Sequence, residues 1–136
     1  MTATIAPASS ASPGVALADA RFIDLVTFRR TGVPVGTPVL FVIDGDRLLV
    51  RTAADSGKLK RLRHTSKVEV AACDQRGRRL GPAISGRARI LSPEAVGPTL
   101  ARLHARYRIA GPLFSAIRHF RGKGDVIVEI VLGGVA

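Results

Sequence analysis

Tryptophan is absent from this 136-residue chain, tyrosine occurs once, and five phenylalanines complete the aromatic set. Stacking platforms for bases are therefore scarce, which argues against nucleic acid as the partner. A single cysteine, Cys73, excludes an intrachain disulfide and fits a reducing, cytoplasmic setting. It stands in an apolar stretch, where a thiol serves as a small core group rather than a nucleophile. His64, His104 and His119 are far apart and share no ligand spacing with cysteine or carboxylate, so no metal site is expected. The chain also lacks a Gly-x-Ser-x-Gly elbow, a Walker-type phosphate loop and a carboxylate pair placed for acid–base work. An enzyme with so little reactive chemistry of its own would take it from a cofactor. No apolar run is long enough to cross a bilayer. Acids are the last shortage: 10 Asp and Glu stand against 21 Lys and Arg, and the net charge of +11 implies an anionic partner.

What is present reads as one mainly β domain. Residues 1–18 are rich in Ala, Ser and Pro and lack the basic start and apolar centre of a secretory signal. They are expected to form a flexible tail ahead of a single domain over 19–136. Strands are expected over 21–28, 33–43, 47–52, 67–73, 82–91 and 125–132, where β-branched and apolar residues alternate or run together. Asp44-Gly45-Asp46, set between two apolar runs, predicts a hairpin. Pro38 cannot donate to a ladder, so it belongs at an edge, at a bulge or against a ligand. The apolar run 39–43 reads as strand buried on both faces. Ile84, Gly86, Ala88 and Ile90 alternate with Ser85, Arg87 and Arg89, which turns both arginines to a solvated face.

Ser92-Pro93-Glu94 has the chemistry of a helix start. Val96, Leu100, Leu103 and Tyr107 keep helical spacing after it, with a kink or restart expected at Gly97-Pro98. A second short helix over 113–120 and a turn over 121–124 precede the final strand. Hairpins dominate and no βαβ unit occurs. The expected fold is a six-stranded antiparallel barrel, mainly β, with short helices at its ends.

One stretch combines these signals with chemistry. Over 49–63 an apolar strand ends in Arg51-Thr52, passes through Ser56-Gly57, and opens into a basic helical segment containing Lys58, Lys60, Arg61 and Arg63. Hydroxyl donors on Thr52 and Ser56, the compact charge of Lys58 and the free N–H groups of a helix start form a plausible phosphate cradle. A solvated basic helix after an ordinary strand is the plainer alternative. Leu59 and Leu62 would face the core and leave the cations toward solvent or ligand.

Thr37-Pro38-Val39, the run from Phe41 to Leu48, Arg51-Thr52 and the run from Ser56 to Leu62 together resemble the pyridoxamine 5′-phosphate oxidase-like split β-barrel flavin and deazaflavin oxidoreductases. Val70 to Arg78, Gly81-Pro82 and the run from Gly86 to Arg89 resemble an actinobacterial branch that uses coenzyme F420. The resemblance covers roughly residues 20–132. It implies an FMN-binding-split-barrel fold, a homodimer with cofactor sites at the interface, and hydride transfer to a small unsaturated or carbonyl acceptor. Thr52, Ser56, Gly57 and Lys58 then correspond to the phosphate site. Thr37, Pro38 and Val39 line the ring with Arg51 nearby, and Arg61 reaches toward phosphate or the anionic tail. No catalytic residue is assigned. The FMN-dependent vitamin enzymes carry an Arg-Lys pair where this chain has Gly57-Lys58, which weighs against FMN, and an FMN-binding oxidoreductase stands as the alternative to the F420-dependent one. Their substrate segment has no counterpart in 122–136, which weighs against oxidation of pyridoxamine phosphate. A non-catalytic carrier of the same cofactor is the alternative from a different class.

Overall fold

The computed structural model describes residues 17–107 and 124–133. Strands β1 (Phe22–Phe28), β2 (Pro34–Val39), β3 (Val42–Asp44) and β4 (Arg47–Ala53) come first. Helix α1 (Gly57–Leu62), β5 (Lys67–Cys73) and β6 (Ile84–Ile90) follow. A 3₁₀ turn (Pro93–Ala95), helix α2 (Val96–Arg106) and β7 (Asp125–Leu132) complete the order. All seven strands share one antiparallel sheet in the order β2-β1-β5-β6-β7-β4-β3.

The two edge strands, β2 and β3, are neighbours in sequence, separated only by Leu40 and Phe41. So short a link spans at most about 11 Å, so the sheet must curl until its edges nearly meet. The result is a split barrel. The expected fold class therefore holds, with one correction. The run 33–43 is not one strand but two, each on a different edge, so the sheet has seven strands instead of six. The break falls at Phe41, whose backbone bonds a side chain instead of running on through a ladder. Its N–H donates to Tyr107 Oη at 3.3 Å, and the Tyr107 hydroxyl donates back to its carbonyl at 3.0 Å. Pro38 stands on edge strand β2, where a missing donor costs nothing.

The core has two layers. Inside the barrel, alternate residues of β4 (Leu48, Val50) and β7 (Val128, Ile130, Leu132) meet Ile23, Leu25, Phe41, Leu59, Val68 and Val70. The opposite faces of the same strands, with Val42, Leu49 and Ile127, pack under Leu103 and Tyr107 of α2. Burial from both sides explains why β7 reads as near-continuous Val and Ile. Each fully buried aliphatic side chain contributes roughly 1.5–3 kcal/mol. Helix α2 starts at Val96, so Pro98 falls in its first turn, where no intrahelical donor is needed. Arg102 pins the helix to β3 through the Ile43 carbonyl at 2.8 Å and Asp44 at 3.2 Å.

Turn and contact constraints fix the remaining joints. Gly45 takes φ +65° between paired Asp44 and Arg47, as the Asp-Gly signal predicts. Gly86 lets β6 approach β7 closely: a Cβ there would sit 2.7 Å from the Val131 carbonyl oxygen. Arg89 does not simply face solvent, because its guanidinium and that of Arg47 both bond Glu129. Leu17 is buried in the inner core, and Arg106 donates to the Ala18 and Ala20 carbonyls. The folded unit thus reaches back to Leu17, inside the stretch expected to be tail. The helix expected over 113–120 and most of the turn over 121–124 lie outside the described residues. Among those described, no helix is long and apolar enough to cross a membrane.

Candidate functional site

A cavity of about 370 Å³ opens between edge strand β2, the end of β4, the start of α1 and one face of α2. Its apolar walls differ in origin. Thr37, Pro38, Val39 and Leu40 form one wall from β2 and the crossover, while Leu100 and Leu103 of α2 line it with Phe22 of β1. Arg51, Thr52, Ser56 and Lys58 make the polar part.

Each polar group is placed by the local fold. Thr52 points from β4 to the inner side and is buried. Its hydroxyl donates to Ser56 Oγ at 3.1 Å. Ser56 is the N-cap of α1, and the same Oγ accepts the Leu59 N–H at 3.3 Å. With two bonds accepted, the Ser56 proton remains available to an acceptor in the cavity. Arg51 is held on the outer side of β4, its Nε and Nη2 each 2.7 Å from Asp125 Oδ1. Only 6% of that side chain is exposed.

Lys58 differs from Arg51. It is half-buried and makes no ion pair or hydrogen bond among the described residues. Burial lowers its pKa below the usual ammonium value, and the positive charges of Arg61 and then Arg51 lower it further. An ammonium in these surroundings is short of one negative charge.

Seven of the nine residues singled out in the sequence thus line one cavity: Thr37, Pro38, Val39, Arg51, Thr52, Ser56 and Lys58. Gly57 and Arg61 do not line it. Arg61 Nε instead donates to buried Thr27 Oγ1 at 2.6 Å, and its Nη1 lies where a Cβ on Gly57 would come within 3.0 Å. Gly57 thus leaves room for the folded-back guanidinium. Phe22, Leu40, Ala53, Leu100 and Leu103 were not foreseen. Their apolar spacing marks them as core, and nothing in it says that part of the core stops short and leaves a hollow. Cys73 is buried, and its thiol is pushed up to about 11, chiefly by burial, so it takes no part in chemistry at neutral pH.

The donor set fits a phosphate-bearing ligand with a flat apolar portion. The Ser56 hydroxyl proton and the Lys58 ammonium meet oxyanion chemistry, and the adjoining proline and aliphatic walls meet a ring system.

The family model described as pyridoxamine 5′-phosphate oxidase matches residues 15–125. No curated protein sequence matches significantly. Among solved structures, a conserved hypothetical protein from Mycobacterium tuberculosis is 20% identical, with 96% of this chain and 82% of that chain covered and a TM-score of 0.68. The heme storage protein HutZ from Vibrio cholerae is 13% identical over 85% of this chain and 83% of its own, with a TM-score of 0.64. An F420 reductase is 19% identical over 83% and 86%, with a TM-score of 0.56. Identities this low show a shared fold and nothing finer.

Proposed function

The chain belongs to the pyridoxamine 5′-phosphate oxidase family, and from that premise we propose that it binds coenzyme F420 and acts as a deazaflavin-dependent oxidoreductase. One observation carries this reading: half-buried Lys58, with no ion pair among the described residues, stands at the polar end of an otherwise apolar cavity. Lys58 and the Ser56 proton would hold the cofactor phosphate, and Thr52, by donating to Ser56 Oγ, would keep that proton free for it. The β2 wall would flank the ring, Leu100 and Leu103 would exclude water from it, and Arg51, fixed by Asp125, would add positive potential beside it. The bound deazaflavin would supply hydride to a small unsaturated or carbonyl acceptor.

Among the described residues the cavity lining holds no carboxylate and no imidazole. The proton that must accompany hydride would then come from solvent. The same fact favours a second reading, a carrier of the cofactor without turnover, and one set of measurements separates the two. The protein is titrated with F420, FMN and FAD, then assayed with quinones and enones. Tight F420 binding that falls about tenfold to a hundredfold in Lys58→Ala supports the proposal, as expected for a lost charged hydrogen bond of about 1.5–3 kcal/mol. Undetectable F420 binding, or affinity unchanged by Lys58→Ala, overturns it. Tighter binding of FMN moves the assignment to FMN, and tight F420 binding without turnover makes the protein a carrier. The homodimer implied by the resemblance belongs to the same proposal, and sedimentation would test it.

A further inference from the structure

At the opposite end of α1 from the cofactor cavity lies a second concavity of about 440 Å³, lined by Arg29, Arg30, Arg63, His64 and Thr65. Its residues come from the turn that leaves β1 and the turn that leaves α1. The groups around it offer donors and almost no acceptors. Arg30 Nε donates to His64 Nε2 at 3.2 Å, which makes Nε2 the acceptor and leaves Nδ1 as the donor side of the ring. Thr65 Oγ1 accepts the Lys67 N–H at 3.2 Å, so its own proton remains to be donated. Two nearby carbonyls are already used: Arg29 O accepts from Gly32 N, and Arg61 O accepts from His64 N and Thr65 N.

Among the described residues no carboxylate lines the concavity, and Arg29, Arg30 and Arg63 make no ion pair. Positive charge is crowded enough to be felt further in. The charged form of Arg61 is disfavoured first by burial and then by Arg29. Guanidinium forks match the paired oxygens of a phosphate group, and three of them exceed what a single monoanion would neutralise.

We propose that this concavity is a second oxyanion site, separate from the cofactor cavity, that takes a small ligand bearing a diphosphate-type group. The proposal does not depend on which cofactor fills the first site. Six helical residues rise about 9 Å, so the two sites stand roughly that far apart along α1. A phosphate bound by Lys58 at one end therefore cannot occupy the other.

The test is calorimetric titration of the full chain with inorganic pyrophosphate at constant ionic strength, in a Lys58→Ala background that disables the cofactor cavity. Pyrophosphate should still bind there. Adding Arg30→Gln or Arg63→Gln should weaken it about tenfold each, with the thermal midpoint of the ligand-free protein unchanged. Absence of pyrophosphate binding in the Lys58→Ala protein overturns the site. So does binding that both arginine substitutions leave intact. An oligonucleotide that displaces pyrophosphate at a lower concentration of phosphate groups would overturn the small-ligand assignment. Because the cofactor titrations use Lys58 and this one uses Arg30 and Arg63, either reading can fail alone.

Discussion

Replacing Tyr107 by Phe removes one oxygen atom from the point where the barrel closes. That oxygen lies 3.3 Å from the Phe41 nitrogen, 3.0 Å from the Phe41 carbonyl, 2.9 Å from the Arg21 carbonyl and 3.0 Å from Arg106 Nε. Phe41 is fully buried, so water cannot replace the lost partner without entering the core. Each buried backbone group left unpaired costs about 1–3 kcal/mol. Some relaxation toward Arg106, whose guanidinium stacks 4.6 Å from the Phe41 ring centroid, will offset part of the cost. A net loss of about 3 kcal/mol is expected, and the ring itself still fills its space, so no cavity term is added. For a chain of this length, with unfolding entropy of about 2.1 cal/mol/K per residue, that lowers the thermal midpoint by roughly 10 °C. Urea unfolding should show a lower midpoint with an unchanged slope. Leu40, next to Phe41, lines the candidate cavity, so affinity for the proposed cofactor should fall as well. If the two proteins melt within about 2 °C of one another, the hydroxyl does not hold the crossover and the account of the split strand is wrong.

Three further outcomes follow from particular contacts. Lys58→Met should stabilise the ligand-free protein while abolishing tight cofactor binding. The folded-state pKa of Lys58 is depressed, so its penalty is fully present below that value and is relieved as pH climbs toward the ordinary 10.5; the gap between variant and wild type in urea should shrink from neutral to alkaline pH. Glu129 is held below its ordinary 4.5, first by Arg89 and also by Arg47, so its contribution is present above 4.5 and lost as pH falls through the folded value. In Glu129→Gln, acid unfolding followed by circular dichroism should show a shallower loss over that window, and an unaltered acid limb would count against the pair. Gly86→Ala drives a Cβ to 2.7 Å from the Val131 carbonyl, and because the obstacle is backbone the cost should be about 2 kcal/mol or more in urea unfolding.

The sequence was most legible where one rule acted alone. Alternation located β5 and β6, and β-branched or continuous apolar runs located β1, β4 and β7, all to within about two residues, while Asp44-Gly45 located the hairpin. It was least legible where a distant residue decides. The run 33–43 is apolar enough for one strand, and what divides it is Tyr107, 66 positions away. The cofactor cavity was half visible. Its polar members cluster within Arg51–Lys58, whereas Leu100 and Leu103 reach it only because α2 packs across β3 and β4. Charge was the poorest guide. Arg51, Arg61 and Lys58 look alike on paper, yet one pairs with Asp125, one folds back onto Thr27, and one has no counterion among the described residues.

β7 sits between β6 and β4 in the sheet, yet it comes latest in the chain of all the strands described. As the protein emerges from the ribosome, β3 and β4 can form a hairpin and β2, β1, β5 and β6 can form a ribbon. Nothing joins the two pieces edge to edge until residues 125–132 arrive. Pairing across such separations is slow, and meanwhile two open strand edges are presented to other chains. The candidate cavity waits on the same event, since Asp125 opens β7 and anchors Arg51, which lines it. Assembly is therefore a single late insertion, and the interval before it is when this protein most needs dilution or a chaperone.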